Sequence, residues 1–184
     1  MRNSAEAAVD VLGEAKVALD PGLSPSQIDI LEDRFSIRFS PDHARLLSLA
    51  VPRGPGWVDW LGEPAEVNAR LAAPVEGVLF DVRHSDFWPE EWGDRPGDIF
   101  TTLRVARERL MAMPKLVPLY AHRYLPAAPA SSGAPVLSVH QTDVVCYGSS
   151  LFAYVRREFL GIPDEERPTH HVEFWSDLAE GRWL

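Results

Sequence analysis

Histidines, a lone cysteine and an acidic loop crowded with tryptophan are the residues in this chain whose types could do chemistry. His84 and Asp86 form a His-x-Asp pair, His122 lies in Ala121-His122-Arg123-Tyr124, and His140 is followed by Asp143. Each follows a run that reads as a β-strand, so three strand ends each deliver an imidazole and two deliver a carboxylate. Were those ends to converge, His84, His122, His140 and Asp143 could hold a divalent metal or small ligand, or serve as acid and base. Imidazole titrates near neutrality and is a common zinc ligand. No pair has the spacing that places two ligands on one helix face, and histidines at turns also serve as plain hydrogen-bonding caps. His170-His171 reads as an exposed pair. Cys146 lies in the apolar run Val144-Val145-Cys146-Tyr147, which reads as a buried structural thiol rather than a nucleophile.

The second candidate is a surface for another protein. Between Ser85 and Gly97, Phe87, Trp88 and Trp92 are interleaved with Glu90, Glu91 and Asp94. Tryptophan anchors binding hot spots and carboxylates complement a basic partner, so Trp88, Glu90, Glu91, Trp92 and Asp94 are candidate contacts. The competing reading has the rings roof the core beside Trp57 and Trp60. Motifs for phosphate-cradling loops, dinucleotide binding, serine hydrolases, metalloproteases and paired-cysteine redox sites are missing from the sequence. No cofactor is implied.

Charge sets the class of partner. The 184 residues carry 27 Asp+Glu against 18 Lys+Arg, a formal net charge of −9, with a pI near 5.1. Duplex nucleic acid needs clustered basic side chains and is not expected as a ligand. Residues 59–98 hold ten acids and three bases, and residues 99–160 hold three acids and seven bases. The last 24 residues hold six acids and two bases. Alternating blocks of this kind read either as a locally paired, solvated surface or as an acidic face for a basic partner. Hydrophobic residues at 46% and charged residues at 24% are globular values that exclude whole-chain disorder. No apolar run reaches the length of a membrane span. Glu6, Asp10, Glu14 and Lys16 interrupt any secretory core, and one cysteine cannot form an internal disulfide, so a cytoplasmic protein is expected.

These groups must be positioned by helices followed by strands. Residues 4–18 favour helix, and Asp20-Pro21-Gly22 reads as a turn. Ser24, Pro25 and Gln27 announce a helix by a capping box, with Ile28, Leu31 and Phe35 on its apolar stripe. Ser40-Pro41 repeats the start signal ahead of Leu46, Leu47 and Ala50. Trp57 to Trp60 reads as a short edge. Pro64 to Leu71 reads as one or two helical turns closed by Pro74, and Val78 to Val82 as a strand. Asp98 caps a helix to about Ala112. Leu116–Tyr120 is a strand with Pro118 at an edge or bulge, and residues 125–135 read as a flexible loop. Val136–His140 and Val144–Tyr147 form a hairpin. Ser149 or Ser150 caps a helix to Leu160, and Thr169 is the expected cap of a last short helix with Phe174, Trp175 and Leu178. Helices before a cluster of hairpin-connected strands make this an α+β fold.

Four stretches carry a family resemblance. They are Ile28-Asp29-Ile30-Leu31-Glu32 through Phe39-Ser40-Pro41-Asp42 to Leu46-Leu47, and Gly77-Val78-Leu79-Phe80-Asp81 with Phe87-Trp88 and Glu91-Trp92-Gly93. The others are Leu116-Val117-Pro118-Leu119-Tyr120-Ala121-His122-Arg123-Tyr124-Leu125-Pro126, and Pro135-Val136-Leu137-Ser138-Val139-His140-Gln141-Thr142-Asp143 through Tyr147-Gly148 to Leu151 and Phe159. Together they resemble the SMI1/KNR4 family, or SUKH superfamily, and the last two resemble a bacterial subgroup of it. The resemblance spans residues 24–160, leaving residues 1–23 as a helical extension and residues 161–184 as an acidic tail. It implies helices packed on a mostly antiparallel sheet. It also implies a protein-binding domain, since many bacterial members are immunity proteins that block a cognate toxin, often one with a basic effector domain. Fungal members act instead as interaction hubs, so a general scaffold is the alternative binding role. The resemblance carries over no catalytic residues.

Overall fold

The computed structural model describes residues 4–183 and shows an α+β fold. Helix α1 (Ser4–Glu14) leads into β1 (Ala18–Pro21), then α2 (Pro25–Phe35), α3 (Pro41–Leu49) and β2 (Ala50–Arg53). The expected capping box is present: Gln27 N donates to Ser24 Oγ at 3.3 Å and Ser24 N to Gln27 Oε1 at 2.9 Å. Asp20-Pro21 is not a free turn. It pairs antiparallel with Val51 and Ala50, so β1 and β2 make a two-stranded sheet.

The largest departure from expectation lies between residues 64 and 84. Pro74 does not close a short helix and Val78–Val82 is not a strand; both belong to one helix, α4 (Pro64–His84). A proline inside a helix removes one N–H and leaves the carbonyl four residues earlier without its donor. That carbonyl is Arg70 O, and the buried Tyr124 hydroxyl donates to it at 3.2 Å. A neighbouring strand thus supplies the missing hydrogen bond and the helix continues. Downstream, Val78, Leu79 and Val82 face the core while Phe80 is 50% exposed, a helical rather than an alternating pattern.

Helix α5 (Ile99–Met111) starts where expected, with Thr101 N donating to Asp98 Oδ1 at 2.9 Å. Strands β3 (Leu116–Tyr120), β4 (Arg123–Pro126), β5 (Val136–His140) and β6 (Asp143–Gly148) form an antiparallel sheet in that order. Pro118 sits on the edge strand β3 beside a register shift. Leu125 and Pro126, expected to open a flexible loop, instead end β4, and every residue of that strand is buried. Ser150 caps α6 (Leu151–Leu160), with Ala153 N donating to its Oγ at 3.3 Å. The last helix, α7 (Trp175–Ala179), is not capped by Thr169. Phe174 stands at its N-cap with φ 67°, and the Ser176 and Asp177 side chains accept from Val172 N and Phe174 N at 2.9 and 3.1 Å.

Both faces of the four-stranded sheet are covered, because alternate residues of its strands enter different hydrophobic clusters. Tyr124, Leu137, Val139 and Val144 pack with α4, α5 and α7. Leu119, Leu125 and Val136 pack with α1, α3 and α6. A third cluster joins α2 to Trp60, Val67 and Val117. The N-terminal extension and the acidic tail are built into these cores: Ala5, Ala8, Val11 and Leu12 are buried in one, and Phe174, Trp175 and Leu178 in another.

Candidate functional site

The three candidate histidines sit at two hairpin ends and one helix end. His84 is not at a strand end. It finishes α4, where its ring packs on Phe80 with centroids 4.4 Å apart. His122 and His140 occupy adjacent hairpin ends, linked by Val139 N donating to His122 O at 3.0 Å. His140 and Asp143 face each other across the Gln141-Thr142 turn. Among the described residues no group of three or more His, Cys, Asp and Glu side chains could hold a metal ion. Arg123 also brings a permanent charge to the spot, since its Nη1 contacts His122 Nε2. Partial burial, and then Arg123, push the His122 imidazole below its ordinary pKa, which disfavours a second cation there.

The motifs around these histidines are bound into the fold. Arg123 is 8% exposed and lies over the Tyr147 ring at 4.0 Å, with its Nη2 3.5 Å from Glu158 Oε2. Tyr124 caps the Pro74 break, as described above. Thr142 is gripped by the buried Asp81, whose Oδ2 accepts from Thr142 N at 2.9 Å and from Thr142 Oγ1 at 2.7 Å. Gly77, one turn earlier on α4, permits this approach: a Cβ there would lie 3.0 Å from Gln141 Cα. Cys146 is half-buried, and burial raises its thiol pKa, keeping it protonated. Sequence reasoning missed Asp81, although the helical spacing of Val78, Leu79 and Val82 around it carried the signal. It also missed His43. Burial pushes this imidazole down to about 3, and it packs against Phe39 and Trp60.

The loop after α4 is built differently. Phe87 and Trp92 are buried and meet edge-on at 6.1 Å. Trp92, a candidate contact, is only 6% exposed and therefore supports the loop from beneath instead of offering its ring. It stacks on Phe174 at 6.0 Å and 19°, in the same cluster as the tail and away from Trp57 and Trp60. Trp88 is half-buried and donates from Nε1 to Gly93 O at 2.7 Å, which closes the loop around the single 3₁₀ turn Glu90–Trp92. Arg95 ties the base, donating to Val82 O at 2.8 Å and pairing with Asp86 at 3.0 Å. Glu90, Glu91 and Asp94 are exposed on this frame, and no ion pair engages them among the described residues. The Trp92–Phe174 stack also joins the loop to the tail, where Glu173 is exposed. Two acidic segments far apart in sequence therefore meet through one aromatic contact.

No described helix is long and apolar enough to cross a membrane. No family model, no curated protein and no solved structure matches the chain.

Proposed function

We propose that this chain is a non-enzymatic protein-binding domain that works in the cytoplasm as an immunity protein, neutralising a bacterial toxin domain with a basic surface by covering its active site. The observation that carries the reading is the set of three exposed carboxylates, Glu90, Glu91 and Asp94, fixed on a loop whose aromatic base is buried. A loop backbone braced by the Trp88–Gly93 bond and the buried Trp92 has less freedom to lose when its carboxylates meet a basic partner, and their field speeds encounter. The resemblance to SMI1/KNR4 proteins supplies the class of partner. Metal chemistry at His84, His122, His140 and Asp143 is not favoured, since His84 ends a helix while the other three sit at hairpin ends, and among the described residues no group of three or more such side chains could hold a metal ion.

The test begins with the gene adjacent to this one. A basic C-terminal domain of a secreted protein encoded there is expected to bind the purified chain, with affinity that falls as salt rises. Replacing Glu90 and Glu91 together by lysine is expected to weaken binding at least tenfold and flatten the salt dependence. Unchanged affinity and salt slope would overturn the acidic-loop mechanism, and a neighbourhood of metabolic enzymes would overturn the immunity role.

A further inference from the structure

The seam between two of the hydrophobic clusters is not filled. Beneath the Pro74 turn of α4 lies an apolar pocket of about 260 Å³, bounded by α4, the end of α5 and the start of β3. Phe35 and Leu71 of one cluster face Val75, Leu110 and Trp175 of the other across it. Its walls are held apart. The α4 wall is held at Arg70 O by the Tyr124 hydroxyl at 3.2 Å, and Trp175 Nε1 donates to Pro114 O at 2.8 Å. Met111 and Met113 flank the opening, and unbranched thioether chains adapt to varied apolar shapes.

The rim adds a charge. Glu76 and Arg107 neutralise each other in a two-pronged pair at 2.8 and 3.2 Å. Lys115 donates to Ser36 O at 2.9 Å, and no carboxylate pairs with it among the described residues. An apolar pocket under one uncompensated ammonium selects a molecule with an apolar body and a single negative head. We propose that this pocket binds a small amphiphilic monocarboxylate, its hydrocarbon or aryl part between Leu71, Val75, Leu110 and Trp175 and its carboxylate at Lys115. The volume accommodates about ten non-hydrogen atoms.

The probe is sodium octanoate, compared with 1-octanol and octylammonium, titrated into the full chain carrying ¹³C-methyl methionine. The chain has three methionines, and two of them, Met111 and Met113, line the pocket, so their methyl signals report it. Octanoate is expected to shift the Met111 and Met113 methyls saturably and to bind at least about threefold tighter than octanol. Octylammonium is expected to bind weakest. Lys115→Met is expected to bring octanoate down to the octanol level and leave octanol unchanged, while Ala72→Trp abolishes both. No saturable shift at the two pocket methyls, equal affinity for all three head groups, or an unchanged octanoate affinity in Lys115→Met would each overturn the proposal. Lys115 is exposed, so its variant decides the matter even if Ala72→Trp fails to fold.

Discussion

The hairpin ends at 121–124 and 140–143 and the loop at 85–98 are both rich in polar and aromatic residues, yet they spend them in opposite directions. At the hairpin ends Arg123, Tyr124 and Thr142 each have a partner inside the molecule: Glu158 and the Tyr147 ring, Arg70 O, and Asp81. In the loop the aromatic rings face inward and the carboxylates of Glu90, Glu91 and Asp94 face water. A buried polar group that already has its hydrogen bonds has little capacity left for a ligand, and breaking those bonds costs stability. An exposed carboxylate on a braced loop contributes little to stability and is available to a partner. Residue type alone does not separate the two regions; what each side chain is bonded to does.

The sharpest way to break this contrast is at Asp81. Asp81→Ala leaves the Thr142 N–H and hydroxyl without their acceptor beside a packed helix. The expected loss is about 2–3 kcal/mol, read as a lower urea midpoint with an unchanged slope. A change under about 0.5 kcal/mol would mean that the hairpin end is not held by α4. Tyr124→Phe comes next. It removes only a hydroxyl, but it orphans the Arg70 carbonyl freed by Pro74, and about 1–2 kcal/mol is expected to go. Replacing Pro74 by Ala in the same background returns a backbone donor to Arg70 O. The Tyr124→Phe cost is then expected to shrink, a coupling that a double-mutant cycle measures directly.

These bonds also explain what could be read in advance. The α2 start was legible because Ser24, Pro25 and Gln27 act within one turn of each other. The α5 and α6 caps and the β5–β6 hairpin were legible for the same reason, being local. Helix α4 was not, because the donor that lets it pass Pro74 lies on Tyr124, fifty positions downstream and out of reach of any window on the sequence. Strand β4 was hidden by its burial on both faces, which erased the alternation that marks a half-exposed strand. At the candidate site the acidic and aromatic composition of the loop was plain, but the inward turn of Trp92 depends on Phe174 in the tail. Among the histidines, His122 and His140 do lie at adjacent hairpin ends, whereas His84 ends a helix, because Val78–Val82 is helical and not a strand.

His43 extends the contrast to the histidines themselves. The imidazole is fully enclosed and pushed down to about 3, while an unfolded histidine titrates near 6.5. Between those values the unfolded chain binds the extra proton, so the stability present above about pH 6.5 is lost as pH falls. The loss is about 1.4 kcal/mol per pH unit. Urea midpoints at pH 7.5 and 5.5 measure it. His43→Phe, which keeps a ring against Phe39 and Trp60, is expected to flatten the dependence over this window. His122 is lowered in the same direction but stands mostly in water, so His122→Gln is expected to change the slope far less. Equal slopes in wild type and His43→Phe would assign the acid limb to other groups.

The smallest effect on stability is expected where the functional effect should be largest. Glu90 and Glu91 lie in a single 3₁₀ turn whose geometry rests on the Trp88–Gly93 hydrogen bond and the buried Trp92, and their carboxylates take no part in either. Charge reversal at both positions is therefore expected to move Tm by less than about 2 °C. Relief of repulsion within an acidic stretch could even make the shift upward. Trp92→Ala is the matched opposite. It removes the ring that braces the loop and stacks on Phe174, and it is expected to lower Tm by several degrees while leaving every acidic side chain in the sequence. If the lysine pair destabilised the protein as much as Trp92→Ala, the carboxylates would be part of the fold after all. The loop would then resemble the hairpin ends rather than oppose them.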